Sequence, residues 1–287
     1  MIQEKERYMF TVIGIGDNVV DKYIHQKKMY PGGNALNFTV FARKLSVDAA
    51  YIGIFGDDDA ANHIKKVLDE IGIDYSHSVS FHGENGFARV SLEDGERVFL
   101  PGNGGGVSKD HALNFDDKEL AYIKNFDIIH TSCYSYIEPH LETLSKTGVP
   151  ISFDFSDRLS EHYLSEVSKN INFGFLSCGD MSTEEVKEKL KIVVQAGCDF
   201  AVASRGDKGS LYYNGEVFIE QEAFVVKPID TMGAGDSLIT GLLIDLLKKE
   251  ALFTKDENVI KESLEFGAKK AAETCKVNGT FGFGKDF

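Results

Sequence analysis

The sequence predicts an α/β protein in which helices cover both faces of a mostly parallel central β-sheet, with a small β-sheet lid. Short β-branched or aromatic runs alternate with helical stretches, which is typical of βαβ units. Residues 74–101 instead lack helical periodicity and contain the hairpin signal Asp94-Gly95. With 287 residues, the chain can bury the core of one large domain. We therefore expect a single domain over residues 1–287, with lid strands at about 20–30 and 74–101.

The individual elements follow in order along the chain. A strand at 10–15 precedes a helix over 34–45, in which apolar residues recur at helical spacing. The predicted strands that follow lie at 51–55, 126–130, 151–155, 173–177 and 200–204. The predicted helices between them lie at 59–71 and near 116–124, 137–147, 160–169 and 182–196. A hairpin around Asn214-Gly215, a β-like run at 222–229 and an apolar helix near 238–247 complete the pattern.

Composition narrows the class of protein. An apolar content of 43% and a charged content of 26% are typical of a soluble globular protein. The net charge of −14, without a run of Lys or Arg, argues against a nucleic-acid partner. The four cysteines form no CxxC pair, so neither a zinc site nor a disulfide framework is indicated. Residues 1–7 lack the apolar stretch of a signal peptide, and no apolar run would span a bilayer, so we expect a cytoplasmic protein without a membrane partner.

The most informative segment is Asp230-Thr-Met-Gly-Ala-Gly-Asp-Ser237, which leads into the apolar helix. The first backbone N–H groups of a helix have no internal partners and carry partial positive charge. The bare glycines on either side of Ala234 allow a phosphoryl group to approach those groups closely. Asp236 in the first turn then indicates a base that accepts a proton from a hydroxyl. The simpler alternative is a helix with an acidic N-terminus.

Two other glycine-rich segments fail as phosphate signatures. The segment 279–286 lacks the Ser or Thr of a Walker A loop, and no helix follows it. Gly14-Ile-Gly16 follows a strand, but Val19 stands where a dinucleotide fingerprint needs its third glycine. We interpret both segments as structural turns.

Together with a second motif, Pro31-Gly-Gly-Asn-Ala-Leu-Asn37, the segment at 230–237 resembles the signatures of ribokinase-type (PfkB) carbohydrate kinases. The resemblance covers essentially the whole chain. Gly16-Asp-Asn18, Arg97-Val-Phe99 and 229–237 are most similar to bacterial fructoselysine kinases. The resemblance implies a ribokinase-like three-layer sandwich and ATP-dependent phosphorylation of a primary hydroxyl on a small sugar or sugar conjugate, with fructoselysine as one candidate. It also implies Mg²⁺, K⁺ in some members, and a homodimer formed through the lid.

The resemblance assigns roles to residues of this chain. Asp236 is the base, and Gly233, Ala234 and Gly235 with Asp236 supply the anion hole. The implied sugar-binding residues are Asp17, Asp21, Gly32, Gly33, Asn34, Asn37, Arg97 and Arg158. Simpler interpretations stay open for several of them. Asp17 and Asp21 are then solvated loop acids, Asn34 is only a helix cap, Arg97 (with Arg89) only protects a sheet edge, and Arg158 is a surface arginine.

Nucleotide and metal contacts are implied at further positions. The implied nucleotide-binding residues are Ser177, Ser204, Gly206, Gly209 and Gly279. Asp180 stands where the family has a glutamate that orders the magnesium shell, so it is expected to hold Mg²⁺ through water. Asp230, with carbonyl groups near Met232 and Gly279, matches a monovalent-cation site. Competing functions are another sugar kinase (ribose, fructose or a keto-deoxy sugar acid), a nucleoside kinase, and a catalytically idle sugar-binding regulator.

Overall fold

The structure, a computed structural model, describes residues 10–93 and 96–287, and the side chains of residues 92–97 lie outside that description. The strands are β1 (Thr11–Gly16), β2 (Val19–Tyr23), β3 (Lys28–Gly32), β4 (Asp48–Phe55), β5 (Val79–Ser80), β6 (Gly86–Glu93), β7 (Glu96–Leu100), β8 (Ile128–Ser132), β9 (Ile151–Ser156), β10 (Phe173–Ser177), β11 (Phe200–Ser204), β12 (Ser210–Tyr213), β13 (Phe218–Gln221) and β14 (Lys285–Asp286). The α-helices are α1 (Asn34–Lys44), α2 (Asp59–Ile71), α3 (Asp117–Ile123), α4 (Leu141–Ser145), α5 (Glu161–Ser168), α6 (Thr183–Ala196), α7 (Ala234–Lys248) and α8 (Glu257–Thr274).

The main sheet fixes where a ligand crevice forms. Its order across the described residues is β13-β12-β11-β10-β9-β8-β1-β4-β5. All pairs are parallel except β11 with β12 and β12 with β13. The chain passes from β1 to β4 on one side and reaches β8 on the other, so the strand order reverses at β1. In open α/β sheets the carboxyl ends of the strands at such a reversal flank the ligand crevice.

Helices cover both faces of this sheet because its strands are apolar on both sides. In β10, Phe173 and Phe175 pack toward α7 and α8, while Leu176 packs with the core on the side of α4, α5 and α6. The helices α7 and α8 approach closely, since a β-carbon added to Gly241 would lie 2.7 Å from the Gly267 Cα. The result is the expected three-layer sandwich.

A second sheet forms the lid, which we define as the strands in the order β14-β3-β2-β6-β7. Strand β2 pairs parallel with β6 and antiparallel with β3, and β6 pairs antiparallel with β7. The predicted hairpin is therefore confirmed, although residues 94 and 95 of its turn lie outside the described residues. Strand β14 extends the lid near the end of the chain, which the sequence pattern did not predict.

Most predicted elements are confirmed, with three differences. The β-like run at 222–229 is not a strand, since it leaves the sheet after β13 and Pro228 has no N–H for a strand ladder. The long helix α8 had not been predicted. Strand β5, within the range expected for the lid, pairs with β4 at the edge of the main sheet. The single-domain prediction and the charged segment at 1–7 remain untested, and the latter lies outside the described residues.

Two further expectations concern membrane-spanning helices and disulfide bonds. No helix within residues 10–93 and 96–287 is long and apolar enough to cross a membrane. All four cysteines are among the described residues and are free thiols, three of them buried.

Candidate active site

The N-terminus of α7 opens toward a cleft. Its N-cap is Gly233, which has a left-handed backbone (φ 72°). The Ala234 N–H donates to the Thr231 carbonyl at 3.3 Å, so this amide of the predicted anion hole already has a partner. A β-carbon added to Gly235 would meet no heavy atom within 4 Å. The helix start therefore leaves free space directly at Gly235, where an anion can approach.

Asp236 lies one residue further, at the third position of α7, and only 9% of it is exposed. Its Oδ2 accepts a hydrogen bond of 2.7 Å from Asn37 Nδ2. Burial raises the pKa of Asp236 well above its usual value, and the negative charge of Asp154 raises it further, while the Asn37 hydrogen bond opposes both effects. A buried carboxyl group with a raised pKa is suited to accept a proton near neutral pH.

Asn37 offers an unused acceptor beside this carboxyl group. Its Nδ2 is bonded to Asp236, but its Oδ1 is buried and has no hydrogen-bond partner within the described structure. A buried acceptor without a hydrogen-bond partner destabilises the folded state, so such atoms usually bind a water or a ligand. A ligand hydroxyl placed between Asn37 Oδ1 and Asp236 would satisfy it.

Asp17 holds the start of α1. Its Oδ2 accepts from the Asn34 N–H at 2.7 Å, and its Oδ1 accepts from the Ala35 N–H at 3.2 Å. The same Oδ1 accepts from the hydroxyl groups of Ser132 and Ser135. Because Asp17 is only 7% exposed, its interpretation as a solvated loop acid is wrong. Its carboxylate is engaged by protein donors, and its sugar-binding role stays a prediction.

Asp21 and the Gly32-Gly33 pair lie together at the base of the lid. Asp21 on β2 is 5% exposed, so it is not a solvated acid either. A β-carbon on Gly32 would lie 2.7 Å from the Asp21 Oδ2, so a larger residue here would displace the Asp21 carboxylate. Gly33 has a positive φ of 116°, and its β-carbon would lie 2.7 Å from the Asp17 carbonyl oxygen. The glycines of the motif at 31–37 therefore pack closely against Asp17 and Asp21.

Asn34 makes a contact that sequence reasoning missed. Its Nδ2 donates to Asp154 Oδ2 at 2.6 Å, across 120 residues. The cap of α1 is Gly33 and the first N–H groups bond to Asp17, so the alternative of Asn34 as a helix cap is wrong. Burial raises the pKa of Asp154 to about 6, against the hydrogen bond from the Ser156 N–H. The only sequence signal for Asp154 was an acid between two aromatic residues near the end of a predicted strand.

A cleft of about 430 Å³ extends from the start of α7. Predicted residues Ser204, Gly206 and Gly209 line it, as do Ala234 and Gly235. Its apolar wall was not predicted and consists of Phe224, Val225, Val226, Pro228, Leu238, Ala268, Ala271, Ala272 and Cys275. A planar apolar group fits against such a wall while charged groups reach the helix N-terminus. The segment at 223–228, mistaken for a strand, forms part of this wall.

A smaller cavity adjoins the cleft. Asp154, Ser177, Ser204 and Gly235 are among the residues that line it. Asp180 is exposed and does not line either space. Within the described ranges, no three His, Cys, Asp or Glu side chains are grouped as a metal site. Asp154 is the acid that lines the smaller cavity together with Gly235, while Asp207 lines the larger cleft.

The remaining predicted residues lie further away. Gly279 does not line the cleft but packs against Tyr30 of the lid. The Arg158 guanidinium lies 4.9 Å from the Tyr134 ring centroid on an exposed surface, so both interpretations of it stay open. Arg97 lies on the edge strand β7, but its side chain is outside the described residues. Arg89 lies on β6 between β2 and β7, so the interpretation that it protects a sheet edge is wrong.

Asp230 joins several segments. Its Oδ2 accepts from the Tyr23 hydroxyl at 2.5 Å and from the Gly279 N–H at 2.9 Å. Its Oδ1 accepts from the Met232 N–H at 3.0 Å. Both oxygens of the acid expected at a monovalent-cation site thus face hydrogen-bond donors.

Comparisons with known proteins agree with this geometry. A model of the pfkB family of carbohydrate kinases matches residues 8–147 and 170–282. Fructosamine kinase FrlD of Bacillus subtilis (strain 168) is 39% identical over 276 residues, which cover 95% of this chain and 93% of that protein. Fructoselysine 6-kinase of Escherichia coli (strain K12) is 34% identical over 235 residues, which cover 82% of this chain and 88% of that protein. The structure of Arabidopsis thaliana ribokinase complexed with ribose and ATP has a TM-score of 0.78 at 20% identity, covering 96% of this chain and 95% of that one. The predicted ribokinase-like fold is confirmed.

Proposed function

The chain belongs to the pfkB family of carbohydrate kinases, and we propose that it transfers a phosphoryl group from ATP to the 6-hydroxyl of a fructose unit that carries an amine, as in fructoselysine. ATP-dependent phosphorylation of a sugar follows from the family and its named relatives. The acceptor is the proposed part. It is supported by the identity of 39% to a fructosamine kinase over 95% of the chain and of 34% to a fructoselysine kinase.

The observation that carries the proposal is the buried Asp236 beside the unpaired Asn37 Oδ1 and the open space at Gly235. When the sugar binds, a neighbouring sugar hydroxyl donates to Asn37 Oδ1, and the reacting hydroxyl donates to the Asp236 carboxylate, which takes its proton as the hydroxyl oxygen bonds to the γ-phosphorus. The bond from that phosphorus to the β-phosphate oxygen breaks, and ADP leaves. The N–H groups of Gly235 and Asp236 stabilise the charge on the transferred group, since phosphoryl transfer depends mainly on positioning and electrostatics.

We propose that Mg²⁺ is held near Asp154 rather than at Asp180. Magnesium prefers oxygen ligands and usually keeps several waters, and the buried Asp154 carboxyl group faces a small cavity that Ser177 and Ser204 also line. When bound, the ion neutralises phosphate charge. Asp180 is exposed and lines neither the cleft nor the smaller cavity. Potassium at Asp230 stays a prediction, and hydrogen-bond donors face both of its carboxylate oxygens.

The lid supports the proposal of a homodimer. Strand β7 is the edge of the described lid sheet, and Phe99 on it is 61% exposed. An exposed strand edge with an apolar side chain favours pairing with a second edge. The β7 edge is therefore the surface at which we expect two chains to meet.

A sugar panel tests the proposed acceptor. We expect ADP release with ATP and fructoselysine to have a kcat/KM at least about 10-fold above that with fructose, ribose or a keto-deoxy sugar acid, because the whole conjugate contributes binding energy to the transition state. Chelation of Mg²⁺ should abolish the signal. Coupled ADP detection and the mass of the phosphorylated product give the measurement. A preference for ribose or a nucleoside would exclude the acceptor, and sugar binding without turnover would favour the idle regulator.

A pH prediction follows from the Asn37 hydrogen bond. Because the Nδ2–H stabilises the charged form of Asp236, the Asn37→Ala variant should raise the pKa of Asp236 further. The acid limb of kcat/KM against pH is then expected to move to higher pH. At neutral pH, kcat/KM should fall by about 10- to 100-fold, since a hydrogen bond to a charged group contributes about 1.5–3 kcal/mol.

The pH profile of Thr39→Val is the control. Thr39 is fully buried on the same helix, but its hydroxyl donates within α1, to the Leu36 carbonyl. The acid limb of kcat/KM against pH for Thr39→Val should lie at the same pH as that of the unmodified enzyme. An acid limb of Asn37→Ala that moves to lower pH, or does not move, would contradict the assignment of Asp236 as the titrating base.

A further inference from the structure

A buried hydrogen bond connects the lid to the segment that begins α7. The Tyr23 hydroxyl, on lid strand β2, donates to Asp230 Oδ2 at 2.5 Å although 207 residues separate the two in sequence. Tyr23 is 3% exposed and Asp230 is 6% exposed. Hydrogen bonds to a carboxylate are short and strong when they are shielded from water. This hydrogen bond therefore connects the lid, on the side of the proposed sugar site, to the loop before α7, on the side of the proposed phosphate site.

Asp230 also accepts hydrogen bonds from two loops. Its Oδ2 also accepts from the Gly279 N–H, and its Oδ1 accepts from the Met232 N–H, two residues along the loop that leads into α7. Gly279 in turn packs on Tyr30 of lid strand β3, where an added β-carbon would lie 2.5 Å from the Tyr30 Cγ. Asp230 thus joins lid strand β2 to the loop before α7 and to the loop at Gly279, so a displacement of the lid can move both loops.

The loop after Gly279 reaches the anion-binding segment itself. A β-carbon added to Gly233 would lie 2.2 Å from the Thr280 Cγ2, so Thr280 packs directly on the N-cap of α7. Tyr23, Tyr30, Val90 and Met232 form one apolar cluster, which places lid side chains against the loop 230–233. Packed groups of this kind transmit displacement because they cannot compress.

We propose that Tyr23 is a positioning residue that holds the loop 230–233, and with it the N–H groups at the start of α7, in register with the position of the lid. This inference rests on the proposed kinase function and adds a route by which the sugar side acts on the phosphate side. Asp21, on the same strand as Tyr23, lies at the predicted sugar site. When the lid settles on the sugar, Tyr23 and Asp230 fix the anion hole. Without the hydroxyl, the lid still closes but the loop is held less firmly.

The test compares two tyrosines of the same cluster. Tyr23→Phe removes the hydroxyl that reaches Asp230, whereas Tyr30→Phe removes one that donates to Gln26 Oε1 at 2.9 Å within the lid. The two rings pack edge to face at 5.0 Å and are 3% and 5% exposed, so the variants are closely matched. We expect Tyr23→Phe to lower kcat by about 10- to 100-fold, as small misplacements of catalytic groups do, while the sugar KM changes less than about threefold. Tyr30→Phe should change both less than about threefold.

A binding measurement separates this role from a purely structural one and needs no turnover. By calorimetry on the full chain, the panel sugar with the highest turnover, or fructoselysine if none is turned over, should tighten binding of a non-hydrolysable ATP analogue by about fivefold or more. Tyr23→Phe should lose this coupling and keep the separate affinities, while Tyr30→Phe keeps both. Equal losses in the two variants, an unchanged kcat in Tyr23→Phe, or absence of coupling in the unmodified chain would overturn the inference. An inactive unmodified enzyme would count instead against the proposed function.

Discussion

Replacing Asp236 by asparagine is expected to lower kcat by about 10²- to 10⁴-fold, the usual contribution of a general base. The amide has nearly the same shape and can still accept the Asn37 Nδ2–H, so sugar and ATP should bind almost as before. Steady-state kinetics together with calorimetric binding of each substrate measure both parts of this expectation.

The same variant should be more stable than the unmodified protein. Burial and the Asp154 charge raise the pKa of Asp236 in the folded state above its usual value of 3.8, so its ionised form is disfavoured by folding. This cost is absent at pH values below the unfolded pKa, grows as the pH rises toward the folded pKa, and is complete above it. Asp236→Asn removes it, so its melting temperature should exceed that of the unmodified chain at neutral pH. The difference should shrink as the pH falls.

Asp245→Asn is the matched control on the same helix. Asp245 is partly exposed, accepts a hydrogen bond from the Ser263 hydroxyl and pairs with Lys249, away from the cleft. Its variant should keep full turnover. A near-normal rate in Asp236→Asn, or loss of substrate binding equal to the loss of rate, would show that Asp236 is not the base.

A side chain at Gly235 is expected to lower activity, more for a larger side chain, while leaving the fold intact. Gly235 is not in the left-handed region, and an added β-carbon meets no neighbour within 4 Å, so the backbone accepts a larger residue. The space that the side chain fills is the space where the phosphoryl group must approach the helix N–H groups. We expect Gly235→Ala to lower kcat/KM for ATP by about 10-fold and Gly235→Val by about 10²- to 10³-fold, the scale of losing one oxyanion donor.

Stability measurements make this series informative. Alanine in a helix is more favourable than glycine by about 0.5–1 kcal/mol, so the melting temperature of Gly235→Ala should not fall. Thermal unfolding followed by circular dichroism and ATP titration of each variant give the two readouts. Full activity in Gly235→Val would place the transferred phosphate elsewhere. A lowered melting temperature of Gly235→Ala would show that a side chain at this position clashes with its neighbours.

The sequence predicted local features well where a short pattern was sufficient. The helix at 59–71 and the strands at 173–177 and 200–204 have the predicted bounds, because apolar periodicity and caps act within a few residues. It failed at 222–229, where Val225 and Val226 suggest a strand but line the cleft instead. A β-branched run forms a strand only when a neighbouring strand pairs with it, and no local pattern contains that information.

The candidate site shows the same division between local and long-range information. Asp236 and the glycines of its motif were predicted from sequence as candidate site residues, since a helix start with bare glycines is a local signal. Asp154 was missed, because an acid at a strand end is common and its contact with Asn34 spans 120 residues. The simpler interpretations of Asp17 as solvated and of Asn34 as a cap were wrong for a similar reason. Which carboxylate holds the start of α1 depends on the loop after β1, brought there by the sheet.

The sequence by itself determined most of the strands and helices and the type of reaction. Only the tertiary structure decided the hydrogen-bond partners and the surroundings of the buried carboxyl groups. Asn37 reaches Asp236 across 199 residues, and Tyr23 reaches Asp230 across 207. The proton affinity of a carboxyl group depends on the water it loses and the charges near it, and both are set by packing between distant segments. A linear pattern can therefore indicate a candidate base, but the fold sets the pKa of that carboxyl group.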